Sequence, residues 1–207
     1  DIVVVDNASS DGTVGIIKSA EPHVKTVLNR HNLGLSRANN IGATVASGNS
    51  LFFINPDVEV LPGAVTAMQK LQEEHTEAAI IGPAMIDENG IRQSTARTWP
   101  GPMVIASRRT LLAKTRMGRR ISNHHLYRFN TQAEPSRPHW LVGAAMWLTP
   151  GGLERVGLMS ENYFLYFEDV EWCWRAWQMG MEVLYEPKAV VSHVCRRDSA
   201  SGGKTLY

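Results

Sequence analysis

The amino-acid sequence predicts an α/β fold, with a helix-covered sheet in its first half and a mixed half after it. Three observations carry this. DIVVVD and SLFFI are short, continuous apolar runs, the pattern of strands buried on both faces. Segments of helical length lie between such runs, which implies βαβ units with right-handed crossovers. The chain has 207 residues, 43% of them hydrophobic, enough for one domain with a sizeable core.

The elements follow in order. Residues 1–6 form a first strand. NASSDGT is a turn, with Ser10 or Asp11 placed to cap a helix running to about Ala20. KTVLN is a second strand. NLGLSRANNIGATVAS is a Gly-punctuated loop feeding a helix that Gly48 stops. SLFFINPDVEV is a third strand, interrupted at Asn55, Pro56 and Asp57. Pro62 opens a helix to about Glu74, and AAIIGPAMID is a fourth strand or pair. Beyond that, Met103 to Arg120 reads as one basic helix, and NHHLYRFNTQAEPSRP reads as a polar loop. HWLVGAAMWLTP is a strand and GGLERVG a short helix. Glu168 to Met179 is a helix ended by Gly180, and MEVLYEP and AVVSHV are two strands.

The formal net charge of +1 hides an uneven distribution. Nine of the 21 Lys and Arg, and none of the 20 Asp and Glu, fall between Asn89 and Ala133, so the rest of the chain carries −8. Six cations between Arg108 and Arg120, around TLLA, fit a surface helix at anionic lipid, or equally a solvated helix face. No nucleic-acid module accompanies the charge, so nucleic acid is not an expected partner. Two cysteines, Cys173 and Cys195, make no disulfide framework, and a reducing, cytoplasmic setting is expected. No apolar run is long enough to span a bilayer.

Two strand ends carry acids, Asp6 and Asp57. Ligand crevices of open α/β sheets lie at carboxyl ends of strands, so both are expected in one crevice. The bland alternative is that Asp and Asn simply suit turns, which is the preferred reading of Asp11. Pro56 favours an extended bend that turns Asn55 and Asp57 the same way, a short oxygen-donor set suited to Mg²⁺ or Mn²⁺. There is neither a Walker loop nor a dinucleotide Gly fingerprint. Glu168 and Asp169 follow the apolar run FLYF. As residue types they fit a helix start, where acids are favoured, or a catalytic base in a dry pocket.

VVVDNASSDGT, NLGLSRANNIGA, FFINPDVEV, NGIRQSTARTWPGP, LVGAAMWL, NYFLYFEDVEWCWRA and EVLYEPKAVVSHV occur in this order over nearly the whole chain. Together they resemble the inverting GT-A glycosyltransferases of family 2, in particular the rhamnosyltransferase-like members that build cell-wall and other polysaccharides. The resemblance implies a GT-A fold with a mixed central sheet. It also implies a nucleotide-sugar-binding half over residues 1–100 and an acceptor-side, catalytic half over 101–207. Relatives begin with a strand and helix before DIVVVD, so the chain is expected to be truncated at its N-terminus. Asp6 matches the acid that reads the nucleotide base, within a donor-binding set of Asn7, Asn32, Gly34, Asn39, Asn40 and Asn55. Gly143 and Ala144 match the lining of the sugar pocket. Asp57 matches the metal ligand of the Asp-x-Asp motif, and His193 a histidine that completes the site in some relatives. Asp169 matches the general base, with Glu168 beside it. Asn55 stands where many relatives have a first Asp, which leaves one anionic ligand fewer. Asn39 and Asn40 stand where some branches carry other polar residues.

The implied reaction moves a sugar from a nucleotide diphosphate, dTDP-rhamnose before a galactofuranose donor, to a glycan or polyprenyl-linked glycan. Two other classes compete. A nucleotidyltransferase needs a Gly-rich basic loop after its first strand, where NASSDGT stands instead. A degenerate domain would hold nucleotide-sugar without turnover. Among the remaining residues, Cys173 is expected to be inert core. Arg97 and Gln93 are open between site and structural roles. Trp172, Trp174 and Trp177 spread around one helix, so at least one ring should leave the core, where it could stack on a sugar.

Overall fold

The computed structural model describes residues 1–99, 101–109, 114–127 and 133–193. Strand β1 (Val3–Asp6) leads through a turn to helix α1 (Thr13–Ala20) and returns as β2 (Lys25–Leu28), which pairs with β1 in parallel. Helix α2 (Leu35–Val45), strands β3 (Leu51–Ile54) and β4 (Val58–Val60), helix α3 (Ala64–Glu74) and strand β5 (Ala78–Ile86) follow. The second half contains β6 (Ala96–Arg97), α4 (Pro102–Arg109), α5 (Arg116–Tyr127), β7 (Trp140–Leu141), β8 (Ala145–Leu148), α6 (Pro150–Arg155), α7 (Glu168–Gln178) and β9 (Glu182–His193).

The central sheet has the order β3-β8-β5-β9-β4. Strands β5 and β9 pair in parallel, while β8 lies antiparallel between β3 and β5, and β4 is antiparallel to β9. The sheet is therefore mixed. Its side chains alternate faces as a pleat requires. Ile80, Leu148 and Tyr185 pack with Trp172, Cys173 and Ala176 of α7, whereas Ile81, Trp147 and Leu184 pack with Ala64, Met68 and Leu71 of α3. Helices α7 and α6 thus cover one face and α3 the other. Phe53 meets Trp172 edge-on at 5.4 Å, a favourable aromatic arrangement. Cys173 is fully buried, and burial raises its thiol pKa well above the ordinary range, so it is inert packing as its composition suggested.

Several boundaries differ from those expected. The 102–127 region is two helices, with residues between them outside the described set, and α5 runs through the stretch Asn123 to Tyr127 that reads as loop. Tertiary contact overrides polarity there: His125 is buried, with Nδ1 2.9 Å from the Thr98 hydroxyl, and Ser94 Oγ donates to the Leu126 carbonyl at 2.5 Å. The strand expected over His139–Pro150 is divided into β7 and β8 by a turn at Val142, Gly143 and Ala144. The two strands expected after Gly180 are one, β9, which carries Pro187 across a register shift against β5. Helix α2 ends at Val45, capped by an extended Ala46 rather than stopped at Gly48, and Gly12 and Gly63 precede α1 and α3 in left-handed conformations. Asp11 still holds the α1 start, because its Oδ1 accepts from the Thr13 N–H and hydroxyl.

Candidate active site

The first group of site residues gathers where β1 ends. Asp6 is buried and accepts from the Ser9 N–H through both oxygens, at 3.2 and 3.3 Å. Asn7 works as a clasp between this turn and the loop before α2. Its Nδ2 donates to Asn32 Oδ1 (2.8 Å) and the Gly34 carbonyl (3.3 Å), and its Oδ1 accepts from Asn29 Nδ2 (3.1 Å) and Leu33 N–H (2.9 Å). Asn32 also accepts from Gly34 N–H at 2.9 Å. Gly34 has φ 85° and ψ 169°, a conformation nearly confined to glycine. A Cβ there would lie 2.6 Å from the carbonyl oxygen of Phe164, which accepts from Leu35 N–H at 2.8 Å. The loop before α2 is therefore closed against the segment that precedes α7.

On α2, Asn39 Nδ2 donates to Met159 Sδ (3.5 Å). Asn40 is buried and holds the 159–161 segment, its amide donating to the Met159 carbonyl (2.9 Å) and Glu161 Oε1 (3.2 Å) while its Oδ1 accepts from Met159 N–H (3.1 Å). The structure thus gives Asn40 a holding position.

The second group lies between β3 and β4. Asp57 sits directly before Val58, which is opposite His193 in the β4–β9 ladder, and His193 Nε2 is 3.4 Å from Asp57 Oδ2. Gln93 clamps the histidine. Its Nε2 donates to the His193 carbonyl at 2.8 Å, so its Oε1, 2.9 Å from Nδ1, accepts the ring proton there. Nε2 is thereby left facing a carboxylate, and Asp57 Oδ1 is buried with no hydrogen-bond partner. An imidazole beside a carboxylate whose other oxygen is orphaned is an arrangement that a hard divalent cation fits, with Gln93 as the outer group that orients the histidine. Among the described residues no group of three or more His, Cys, Asp or Glu could hold a metal, so the donor set offered is these two residues. The residue types fit Mg²⁺ or Mn²⁺, and oxygens of a ligand or of water would have to complete its coordination. The supporting role of Gln93 is not readable from spacing, because it depends on β9 reaching across 100 residues of sequence.

The third group is built on the start of α7. Asp169 Oδ2 accepts from Gly143 N–H at 2.9 Å, and Oδ1 accepts from Val170 N–H at 2.8 Å. Burial raises its pKa, and these two backbone bonds and the Arg97 charge only partly oppose that. Glu168 is buried, its Oε2 has no partner, and burial, then the Asp169 charge, raise its pKa as well. Arg97 itself is anchored structurally. It donates to the Ser94 carbonyl and lies 4.9 Å over the Trp140 ring. The chain enters α7 through Tyr166 and Phe167, both at φ 70°, a costly conformation for bulky residues of the kind that clusters at functional segments.

One turn joins the second and third groups. Asn55 N–H donates to the Ala144 carbonyl at 2.9 Å, and the neighbouring Gly143 N–H donates to Asp169. A Cβ on Gly143 would stand 3.1 Å from Asp169 Cβ. The structure therefore brings Asn55, Asp57 and His193 together with Gly143, Ala144, Glu168 and Asp169. It places Asp6, Asn7, Asn32 and Gly34 in a separate cluster, linked through Phe164 to the approach of α7.

Residues 1–132 match the family model "Glycosyl transferase family 2". A protein of Mycobacterium tuberculosis (strain ATCC 25618 / H37Rv) named N-acetylglucosaminyl-diphospho-decaprenol L-rhamnosyltransferase is 28% identical over 97% of this chain and 69% of its own length. A low-salt glycan biosynthesis hexosyltransferase of Haloferax volcanii is 24% identical over 85% of this chain and 53% of its own length. Among solved structures, GalNAc-T7 with UDP, GalNAc and Mn²⁺ matches at TM-score 0.66 with 20% identity, over 96% of this chain and 38% of that one. The mannosyltransferase PcManGT of Pyrobaculum calidifontis, with GDP-Man and Mn²⁺, matches at 0.62 with 17% identity, over 96% and 48%. The chain thus spans about half or less of the solved proteins it matches.

Proposed function

Because the chain belongs to glycosyl transferase family 2 and has the GT-A fold, we propose that it is an inverting, metal-dependent glycosyltransferase. The donor class is a nucleotide-diphospho-sugar, with dTDP-rhamnose favoured over a galactofuranose donor. The acceptor is a glycan or polyprenyl-linked glycan. The donor preference and the lipid-linked acceptor lean on the mycobacterial relative's name. Residues 1–100 supply the donor half, and the acceptor side lies beyond them.

One observation carries the reading: the Asp169 carboxylate is fixed by the same turn that holds Asn55, one residue from Pro56 and two from Asp57. A single displacement needs a base on the acceptor side and a stabilised leaving group opposite. Asp57 and His193 would hold Mg²⁺ or Mn²⁺, which when bound neutralises charge on the departing diphosphate. Asp169 accepts the proton of the acceptor hydroxyl as its oxygen bonds to the anomeric carbon and the bond from that carbon to the diphosphate breaks, inverting the centre. Its backbone bonds hold one orientation. Glu168, buried behind it, is a positioning group. Asp6, Asn55, Gly143 and Ala144 are direct donor contacts in this scheme, while Asn7, Asn32, Gly34, Asn39 and Asn40 shape the pocket walls.

The surface of α4 and α5 is proposed to touch anionic membrane at the inner face of the cell membrane, where a polyprenyl-linked acceptor lies. Met103, Ile105 and Met117 are exposed there beside Arg116, Arg119 and Arg120. Among the described residues no helix is long and apolar enough to cross a membrane.

The test is a donor screen read by product mass spectrometry, alongside calorimetry with nucleoside diphosphates with and without Mn²⁺. Asp57→Ala should remove the metal-dependent part of binding. Binding without any transferred product, across donors and glycan acceptors, would support the binding-only reading instead.

A further inference from the structure

We propose that Gln93 is a tautomer clasp: it keeps the ring proton of His193 on Nδ1 and so prevents His193 and Asp57 from closing the metal site by hydrogen-bonding to each other. Gln93 is a positioning residue in this scheme, which rests on the reading of Asp57 and His193 as cation ligands.

The clasp grips His193 at two points. A backbone carbonyl only accepts, so the Gln93 atom 2.8 Å from the His193 carbonyl is the amide nitrogen. The amide oxygen then lies 2.9 Å from Nδ1, and that contact is a bond only when Nδ1 carries a proton. In a neutral imidazole the other nitrogen is then an acceptor. That nitrogen, Nε2, is 3.4 Å from Asp57 Oδ2, so two acceptors face each other. A cation between them removes the conflict. Moving the ring proton to Nε2 removes it too, but the proton then bonds Asp57 and takes up the lone pair a metal needs. Gln93 opposes that move, because it would leave Nδ1 and the Gln93 oxygen as two acceptors 2.9 Å apart.

Gln93 can impose this because it is fixed between two strands. Its N–H donates to the Met85 carbonyl of β5 at 2.8 Å, and Ile86 and Arg92 form an antiparallel bridge. Asp87 sets the turn between them, its Oδ1 accepting from Asn89 N–H (2.9 Å) and Ile91 N–H (2.8 Å). Arg92 reaches β9, donating to the Pro187 carbonyl at 3.3 Å. Strands β5 and β9 stay paired to Ile86 and Ser192, the residue before His193. The turn thus hangs Gln93 on both strands beside the ring. Anchoring the end of β9 would need only the bond to the His193 carbonyl. The second bond, to Nδ1, acts on the ring alone.

The experiment is long-range proton–nitrogen NMR correlation of the histidine rings in the full chain, without metal, at about pH 8.5, where an ordinary histidine is neutral. His193→Ala identifies the ring by the signals it removes. Wild type should carry the proton on Nδ1. In Gln93→Met, which keeps the length and loses both bonds, the proton should move to Nε2. In Gln93→Glu, which keeps an acceptor toward Nδ1, it should stay. Calorimetry with Mn²⁺, alone and with dTDP or UDP, should show binding about 10–100-fold weaker in Gln93→Met, the usual cost of losing an outer-shell partner. Circular dichroism reports that each variant is folded. Wild type alone can overturn the proposal, by a proton on Nε2 or on both nitrogens at that pH. A proton that stays on Nδ1 in folded Gln93→Met overturns it as well, as does unchanged Mn²⁺ affinity there. If the ring proton moves as expected while wild type binds no Mn²⁺, the metal assignment fails and the clasp on the ring stands.

Discussion

Replacing Gly34 with Ala tests the closure between the loop before α2 and the segment before α7. Two costs add. At φ 85° and ψ 169° a side chain forces a conformation costing about 1–3 kcal/mol. The new Cβ would also lie 2.6 Å from the Phe164 carbonyl oxygen and 3.0 Å from its Cα, which are backbone atoms that no rotamer change moves aside. Opening that contact gives up the Leu35 N–H bond to the same oxygen, worth about 1 kcal/mol. The total is about 2–4 kcal/mol, which for a domain of this size lowers Tm by about 5–15 °C. Gly63→Ala is the matched control. Its φ is 86°, but ψ is −13° and nothing lies within 4 Å of the added Cβ, so only about 1 kcal/mol of left-handed strain applies. Thermal unfolding followed by circular dichroism compares the two. Equal losses would show that the Gly34–Phe164 approach contributes nothing and that conformation alone explains the glycine.

Asp169→Asn should leave donor binding nearly intact and cut transfer by roughly 10²–10⁴-fold, with Glu168→Gln costing less; a reversed order in the turnover assay would make Glu168 the base. Because burial raises the Asp169 pKa, the rate should fall on acidification at a pH above that of an ordinary aspartate, and a pH–rate profile of wild type reads this limb directly. Glu168 is also raised, so the folded chain binds its proton at higher pH than the unfolded chain. That contribution to stability is complete below the unfolded carboxylate range and is lost as pH rises through the folded value. Glu168→Gln should therefore flatten the decline of Tm between acid and neutral pH. Reversing the charges of Arg116, Arg119 and Arg120 should weaken binding to anionic liposomes, as should added salt, and equal binding to neutral and anionic liposomes would remove the membrane assignment.

The parts of the fold that are readable from the residues are those set by local pattern. Apolar runs gave β1, β3 and β5, and the long amphipathic stretch of α7 gave its bounds to within a residue. What escaped was decided at a distance. The polar residues Asn123 to Tyr127 look like a loop because nothing local announces that His125 will be buried against Thr98. Pro187 reads as a strand terminator, yet β9 continues through it because the ladder with β5 shifts register nearby. The antiparallel position of β8 between β3 and β5 is likewise invisible in a run of apolar residues. At the site, acids at strand ends are legible, and motif order assigns them. Gln93 behind His193, Gly143 beneath Asp169 and Asn40 against Met159 are not, since each partner comes from a remote segment.

The turn at Gly143 and Ala144 has a consequence for how such a site diversifies. Both bonds that fix the spacing between Asn55 and Asp169 start or end on main-chain atoms of that turn. Substituting the residues that face donor or acceptor leaves those amides and carbonyls where they are. On the proposed reading, recognition is free to drift on either flank while the interval between the base and the departing diphosphate stays constant. A library that randomises Asn39 and keeps residues 143 and 144 would vary the proposed donor wall without disturbing that spacing.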